Sequence, residues 1–241
     1  MTAAYGDLIP GAGFAGRTTY IIGADGNVAF VDKSVDGHLS TCGADWAAWV
    51  KAHREIKGVT PVADVNAGTA TAHVGVTAPP FSLTDAVTGQ ARSLPTLSQG
   101  KKATVVMFVS TRCPVSNAYN ERMTALAKKY SALGVSFVGI DSDQNEPKAE
   151  VASFTKQHGF PFPVLVDRGN KVSDAYSAHV TPETYVVDGK GVLVYHGRID
   201  NDMDTSNAKT HELADALDAT LAGQPVAKAQ TKAFGCSIKR G

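Results

Sequence analysis

The sequence is poor in the features that mark several large classes of protein. It has three cysteines, Cys42, Cys113 and Cys236, and this odd and sparse set excludes a scaffold held together by disulfides. The most continuous apolar run, at 103–109, is far shorter than the ~20 residues of a membrane-spanning helix. Lys and Arg number 23, as do Asp and Glu, so no net charge draws the protein to nucleic acid or to an anionic membrane.

Other signals are also missing. Residues 1–7 lack a basic region followed by an apolar one, so we expect no signal peptide and a cytoplasmic location. There is no Cys-x-x-Cys pair, and neither histidine ligand spacing nor a Gly-rich phosphate loop is present, so we expect no metal and no cofactor. Hydrophobic residues make up 43% of the chain and charged residues 19%, which is the composition of a globular protein with a core.

The chain contains an internal repeat. Residues 19–30 match residues 184–195, and each copy predicts a β-hairpin followed by a helix, at 45–56 and at about 210–222. Because a hairpin and one helix cannot bury their apolar faces alone, we expect residues 1–55 to pack on the rest of this chain or on a partner chain.

The predicted domain organisation follows from this repeat and from composition. Apolar runs typical of buried strands alternate with helical patterns only ahead of the second copy, which predicts an α/β fold with a mixed central sheet flanked by helices. The expected parts are a truncated β-β-α fragment at 1–57, a linker at 58–76, an α/β domain at 77–225 and a tail with Cys236 at 226–241.

The strongest candidate for chemistry is Cys113. It follows a strand that ends at Val109 and precedes a helix that begins near Pro114. The N–H groups at a helix start favour an anion, and Arg112 adds positive charge, so we predict a thiolate near neutral pH. The alternative is a small buried residue at a strand end.

The residues around Cys113 resemble a known family. The matching segments are 108–116, 135–141, 162–165, 180–188 and 232–239. They are similar to the peroxiredoxin-like redoxins of the thioredoxin-fold superfamily, related to alkyl hydroperoxide reductase and thiol-specific antioxidant proteins. The resemblance covers about residues 75–240 and implies a thioredoxin-like fold. It also implies a cis proline at Pro182, between Thr181 and Glu183, beside the active thiol.

The sequence departs from the family pattern in two ways. Ser116 stands where thioredoxins carry a second cysteine, which excludes a dithiol cycle within the motif. Ser110 matches the Thr or Ser that peroxiredoxins carry three residues before the reactive cysteine, but Pro182 stands where they keep an arginine. Arg112 and Arg198 are candidates to replace that charge.

Five other residues have either two possible roles or a purely structural one. Cys236, in a tail expected to be mobile, either resolves Cys113 as a disulfide partner or is an unremarkable exposed thiol. Glu183 is either a proton donor or acceptor, or a solvated carboxylate at a strand end. Arg17 matches the family's arginine but is expected to be a structural remnant, Cys42 a bystander and His196 a histidine on a strand face.

These features predict a thiol-dependent oxidoreductase in which the Cys113 thiolate attacks a peroxide or a disulfide. A thioredoxin-like protein or a small thiol would then restore the reduced state, and a homodimer is left open. The rival interpretation is a non-enzymatic thioredoxin-fold module that keeps a vestigial cysteine and binds a partner protein.

Overall fold

The computed structural model describes residues 72–241 and, from the N-terminal part of the chain, the strands β1 (Thr19–Ile22) and β2 (Val28–Asp32). The chain divides into two compact units, Met1–Gly68 and Thr69–Gly241. Strands β1 and β2 pair antiparallel, which confirms the hairpin predicted for the first repeat copy. The predictions for Arg17, for Cys42, for the helix at 45–56 and for the packing of residues 1–55 lie outside the described residues.

The second unit alternates strands and helices as predicted. Its strands are β3 (Ser82–Asp85), β4 (Ala91–Ser93), β5 (Ala103–Val109), β6 (Val135–Asp141), β7 (Val164–Val166), β8 (Val180–Thr181), β9 (Glu183–Asp188), β10 (Leu193–Gly197) and β11 (Cys236–Ser237). Its helices are α1 (Leu94–Ser98), α2 (Pro114–Ala118), α3 (Asn120–Ser131), α4 (Lys148–His158), α5 (Lys171–Ala175) and α6 (Glu212–Leu221). The single helix predicted after Cys113 is therefore two helices, which meet at Tyr119.

The main sheet is mixed, which confirms the predicted fold class. Seven strands lie in the order β10-β9-β5-β6-β7-β3-β4. The central strands β5, β6 and β7 are parallel, whereas β9 pairs antiparallel with β5, and β3 pairs antiparallel with β7. Because the carboxyl ends of β5 and β6 lie side by side, the residues that follow these strands meet at one edge of the sheet.

The core has two layers, one on each face of this sheet. Side chains of β5 alternate between them, so Val105 and Met107 face one layer and Val106 and Phe108 the other. Helices α3, α4 and α6 cover the first layer, while α1 and α5 cover the second. Among the described residues, every helix is too short or too polar to traverse a bilayer.

The linker predicted at 58–76 ends earlier than expected. Ala72 is buried, and its N–H donates to the carbonyl of Ala175. Gly75 donates in the same way to Leu193, so the end of the predicted linker is docked on the domain.

The C-terminal tail is also docked, which corrects the expectation that it is mobile. Strand β11 pairs antiparallel with β8, with Cys236 opposite Thr181. Ile238 is buried in the second core layer. Arg240 is bound through Nε to Asp174 at 2.9 Å and through Nη2 to the carbonyl of Ala178 at 2.8 Å. Strand pairing, apolar burial and an ion pair therefore hold the tail in place.

Candidate active site

Cys113 lies just beyond the carboxyl end of the central strand β5, where it caps α2. Its Sγ accepts a hydrogen bond from the N–H of Ser116 at 3.3 Å, and its thiol donates to the carbonyl of Thr181 at 3.2 Å. The residue is 3% exposed. The predicted strand-to-helix junction is confirmed, and the sulfur is enclosed rather than open to solvent.

Strand β11 brings the second cysteine to the first. Cys236 lies opposite Thr181, the residue that Cys113 contacts, and each of the two thiols shifts the pKa of the other. The approach requires glycine at Gly235, because a Cβ there would overlap the carbonyl oxygen of Thr181. Both cysteines are free thiols, and Cys236 is half-buried.

The two cysteines differ in the pKa of their thiols. Burial opposes ionisation of Cys113, but hydrogen bonds from the Cys236 thiol, the Thr181 side chain and the backbone of Ser116 outweigh it, so the pKa of Cys113 is lowered. The hydrogen bond to Cys113 raises the pKa of Cys236, and burial raises it further. Cys113 is therefore the more acidic thiol of the pair and Cys236 the less acidic one.

The Thr181–Pro182 peptide bond is cis, as the resemblance implies. The adjoining Glu183 is buried, and its Oε2 accepts from the N–H groups of His179 at 2.8 Å and Val180 at 3.2 Å. Its Oε1 lies 2.6 Å from Nε2 of His196. Burial raises the pKa of Glu183, but these partners, His196 foremost, lower it overall. Glu183 therefore holds the loop before the proline, so the solvated-carboxylate interpretation does not fit. His196 lies on strand β10, as predicted, and its ring binds this carboxylate.

The two arginines proposed to stabilise the thiolate are bound elsewhere. Arg112 forms a two-pronged ion pair with Glu150, with Nε at 2.7 Å and Nη2 at 2.6 Å from the carboxylate oxygens. Arg198 is bound to Glu212 at 2.5 Å. Neither arginine is among the main causes of the lowered pKa of Cys113, which are hydrogen bonds to the sulfur.

A buried carboxylate that the sequence reasoning missed holds the loop before Cys113. Glu146 is fully buried and accepts the hydroxyl of Ser110 at 2.5 Å and the N–H of Thr111 at 2.7 Å. Ser110 in turn accepts the N–H of Cys113 at 3.0 Å, while its own N–H donates to the hydroxyl of Ser116. Ser110 and Ser116 therefore belong to the site, as the sequence predicts, and Glu146 anchors them.

A second buried acid faces Glu146. Burial, together with the nearby carboxylate of Glu146, raises the pKa of Asp141 to about 9. Oδ1 of Asp141 accepts from Arg168 at 3.0 Å, while no donor faces its Oδ2. A proton on Oδ2 that is donated to Glu146 accounts for both facts. The signal available in the sequence was an acidic residue at the end of the buried strand β6.

The described residues around Cys113 do not form a metal site. Within residues 72–241 and the two N-terminal strands, no group of three or more His, Cys, Asp or Glu side chains is placed to hold a metal ion. The chemistry that the site offers is that of two cysteines on either side of Thr181.

The sequence profile of the AhpC/TSA family matches residues 74–196 of this chain, which is half of its length. The chain belongs to the AhpC/TSA family. Cys236 lies beyond the matched residues, whereas Cys113 and Pro182 lie within them.

Curated relatives are thiol-disulfide oxidoreductases named ResA. A protein of this name from Bacillus cereus is 31% identical over 121 residues, which are 50% of this chain and 67% of the relative. The protein from Geobacillus kaustophilus is 33% identical over 119 residues, 49% of this chain and 65% of the relative.

Solved structures share the fold. An uncharacterized conserved protein from Geobacillus kaustophilus is 34% identical with a TM-score of 0.66, and the match covers 70% of this chain and 93% of that one. Peroxidoxin BcpB from Mycobacterium tuberculosis is 25% identical with a TM-score of 0.52, covering 63% and 97%. The chain is a thiol-dependent oxidoreductase with a thioredoxin-like fold, as the sequence predicts.

Proposed function

We propose that the protein is a two-cysteine thiol peroxidase in which Cys113 reduces a small peroxide and Cys236 then closes a disulfide with it. The observation that carries this proposal is the pairing of β11 with β8, which places Cys236 opposite the Thr181 that Cys113 contacts, together with the opposite shifts of the two pKa values. An acidic thiol with a second cysteine on the neighbouring strand supplies both groups that the cycle needs.

The reaction cycle has three steps. The Cys113 thiolate attacks one peroxide oxygen, the O–O bond breaks, and the leaving oxygen departs as water or an alcohol after protonation. The sulfur becomes a sulfenic acid. The sulfur of Cys236 attacks it, the S–O bond breaks, a second water leaves, and the Cys113–Cys236 disulfide forms. Two external thiols, from a thioredoxin-like protein or a small-thiol reductant, then restore both cysteines by exchange.

Enclosure of the sulfur favours a small oxidant. Cys113 is 3% exposed, and the side chains and backbone of Thr181, Ser116 and Cys236 surround it. A peroxide needs room for two oxygen atoms, while a protein disulfide must bring a polypeptide to the sulfur. The covered thiolate therefore supports peroxide as the first substrate.

Thiol-disulfide exchange is the second candidate, and the ResA names of the curated relatives favour it. Here the two sulfurs pass between dithiol and disulfide by exchange with an external disulfide instead of a peroxide. The lowered pKa of Cys113 serves both reactions, because both need a thiolate.

Turnover with hydrogen peroxide and with a small disulfide, measured side by side by stopped flow, separates the candidates. We expect faster reaction with peroxide, loss of both activities in Cys113→Ser, and retention in Cys42→Ser. Tryptic mapping of the peroxide-treated protein should join the peptides 113–122 and 233–239. A stable sulfenic or sulfinic acid on Cys113 with Cys236 still free would contradict the two-cysteine cycle.

A further inference from the structure

The segment that precedes the cis proline contacts both cysteines and lies outside the main sheet. The carbonyl of Thr181 accepts from the Cys113 thiol at 3.2 Å, and Thr181 lies opposite Cys236 in the pairing of β8 with β11. These two short strands form a sheet of their own. Whatever fixes this segment therefore also fixes the groups that Cys113 meets.

A carboxylate binds two N–H groups of this segment. The N–H groups of His179 and Val180 both donate to Oε2 of Glu183, at 2.8 and 3.2 Å. Glu183 is 5% exposed, so this anchor lies inside the protein. Because a glutamate side chain is flexible, it holds the segment in one position only if its other carboxylate oxygen is also fixed.

His196 fixes that second oxygen. Its Nε2 lies 2.6 Å from Oε1 of Glu183, and its ring stacks on the ring of Tyr185, with the ring centres 4.3 Å apart and the planes 9° from parallel. The Tyr185 hydroxyl donates to the carbonyl of Tyr176 at 2.9 Å, so the stacked rings have little freedom to turn. Because the pKa of Glu183 is lowered, its oxygens accept hydrogen bonds and donate none, and Nε2 of His196 carries the hydrogen. An Nε2–H group is a donor in both the neutral and the protonated imidazole.

The backbone of the same histidine holds the C-terminal tail. The N–H of His196 donates to the carbonyl of Ala229 at 2.9 Å, and its carbonyl accepts from the N–H of Thr231 at 3.0 Å. The Thr231 hydroxyl is in turn hydrogen-bonded to the hydroxyl of Tyr195 at 2.8 Å. His196 is therefore linked both to the segment before the cis proline and to the tail that leads to Cys236.

We propose that His196 is a positioning residue of the active site, because its Nε2–H group orients the Glu183 carboxylate that holds residues 179–181 against Cys113. His196 acts through Glu183 and not on the sulfur itself. The inference concerns the ionisation of Cys113, so it holds for a peroxide and for a disulfide substrate alike. Its failure would leave the proposed function intact.

Two substitutions of His196 separate the hydrogen bond from the bulk of the ring. His196→Gln keeps an amide N–H at the same number of bonds from Cα as Nε2, whereas His196→Leu removes the donor. Without the donor, residues 179–181 are released, and Cys113 loses the Thr181 hydrogen bond, one of those that outweigh burial and lower its pKa. The inflection in the pH dependence of Cys113 alkylation should therefore move upward by about 0.5–1 pH unit in His196→Leu, and by less than half of that in His196→Gln.

A control and a double variant test whether the effect passes through Glu183. His211 is exposed and its side chain does not cap α6, so His211→Leu should leave the inflection unchanged. Adding His196→Leu to Glu183→Gln should move the inflection little beyond its position in Glu183→Gln alone. Equal shifts in His196→Gln and His196→Leu, no shift in His196→Leu, or a full further shift in the double variant would each overturn the inference.

The wild-type protein offers a test that does not require the leucine variant to fold. In nitrogen–proton correlation spectra, recorded at a pH where the imidazole is neutral, His196 should be the tautomer with hydrogen on Nε2. Its signals are identified by their loss in His196→Gln. A tautomer with hydrogen on Nδ1 would overturn the inference, because Nε2 would then have no hydrogen to donate to Glu183.

Discussion

The Cys113 sulfur owes its ionisation to groups that come from distant parts of the chain. The sequence predicts a lowered pKa from a helix start and from Arg112; the direction and the contribution of the helix start are confirmed, while Arg112 is not among the main causes. Arg112 is turned to Glu150, and the donors that lower the pKa are the Cys236 thiol, Thr181 and Ser116. Spacing along the chain places Ser116 near the sulfur, but only tertiary structure places Thr181 and Cys236 there.

This assignment predicts how alkylation of Cys113 depends on pH. In the wild-type protein the rate should rise with an inflection below the ordinary thiol pKa, because the thiolate is the reactive form. Cys236→Ala, which removes a donor, should move the inflection upward, and Cys236→Ser, which keeps a hydroxyl donor, should move it less. Iodoacetamide labelling measures it, with mapping of the tryptic peptide that contains Cys113, which is 113–122 except in the Arg112 variant, where it is 103–122. The assignment is wrong if Arg112→Ala moves the inflection upward and Cys236→Ala leaves it unchanged.

Glu146 and Glu150 both bind the loop before Cys113 but differ in burial, which gives a matched pair of variants. Glu146 is fully buried with several donors, so Glu146→Gln should lower the free energy of unfolding by about 2–4 kcal/mol. Glu150 is on the surface with Arg112, so Glu150→Gln should leave stability nearly unchanged. Urea unfolding of the reduced proteins measures both, and similar losses in the two variants would contradict the role of Glu146.

At the scale of elements, the alternation of strands and helices was predictable because apolar patterns mark each of them. The break at Tyr119 was not, since it depends on partners far away in sequence. The Tyr119 hydroxyl donates to Asp200 at 2.8 Å, and the Arg122 guanidinium lies 3.8 Å from the Tyr119 ring centre. The docking of the tail was missed for the same reason, because Ala-, Lys- and Thr-rich segments carry no local signal for a two-residue strand.

Strand β11 gives a prediction that concerns the element and not the reactive side chain. Gly235→Ala places a methyl group on the Thr181 carbonyl and should separate β11 from β8. The yield of Cys113–Cys236 disulfide after one equivalent of peroxide should then fall severalfold, and oxidised Cys113 should accumulate without it. Gly241→Ala is the control, since a Cβ there meets only the flexible side chain of Gln144 at 3.6 Å. Equal disulfide yields in the two variants would contradict the need for close pairing. Mass spectrometry of the two tryptic peptides provides the measurement.

At the scale of the whole molecule, the family profile accounts for Cys113 and its cis proline but stops before the tail. Sequence reasoning identified Cys113, Thr181-Pro182 and Cys236 as parts of the site, because each lies in a segment that resembles the family. It could not identify Glu146, because a single acidic residue in a polar loop is ordinarily exposed. Burial of that carboxylate follows from the edge where β5 and β6 end together.

A disulfide between the cysteines would close a loop that spans most of the domain. They are 123 positions apart, so the cross-link restricts a large part of the unfolded chain. The oxidised protein should be more stable than the reduced protein by about 2–4 kcal/mol. Urea unfolding with and without dithiothreitol measures the difference, with Cys113→Ser as a control that should show none. An oxidised form less stable than the reduced one would mean that the disulfide distorts the site.

The cap of α2 is the reactive atom itself, since the Cys113 sulfur accepts the hydrogen bond of the Ser116 amide. Negative charge on the sulfur strengthens that bond, and conversion to a sulfenic acid or a disulfide removes the charge. The strength of a backbone hydrogen bond in the first turn of the helix therefore depends on the oxidation state of the sulfur. In nuclear magnetic resonance spectra, the Ser116 amide proton therefore reports the state of the sulfur. In the thiolate form its signal is shifted downfield and it is protected from exchange with solvent. When the sulfur is oxidised, both the downfield shift and the protection are lost.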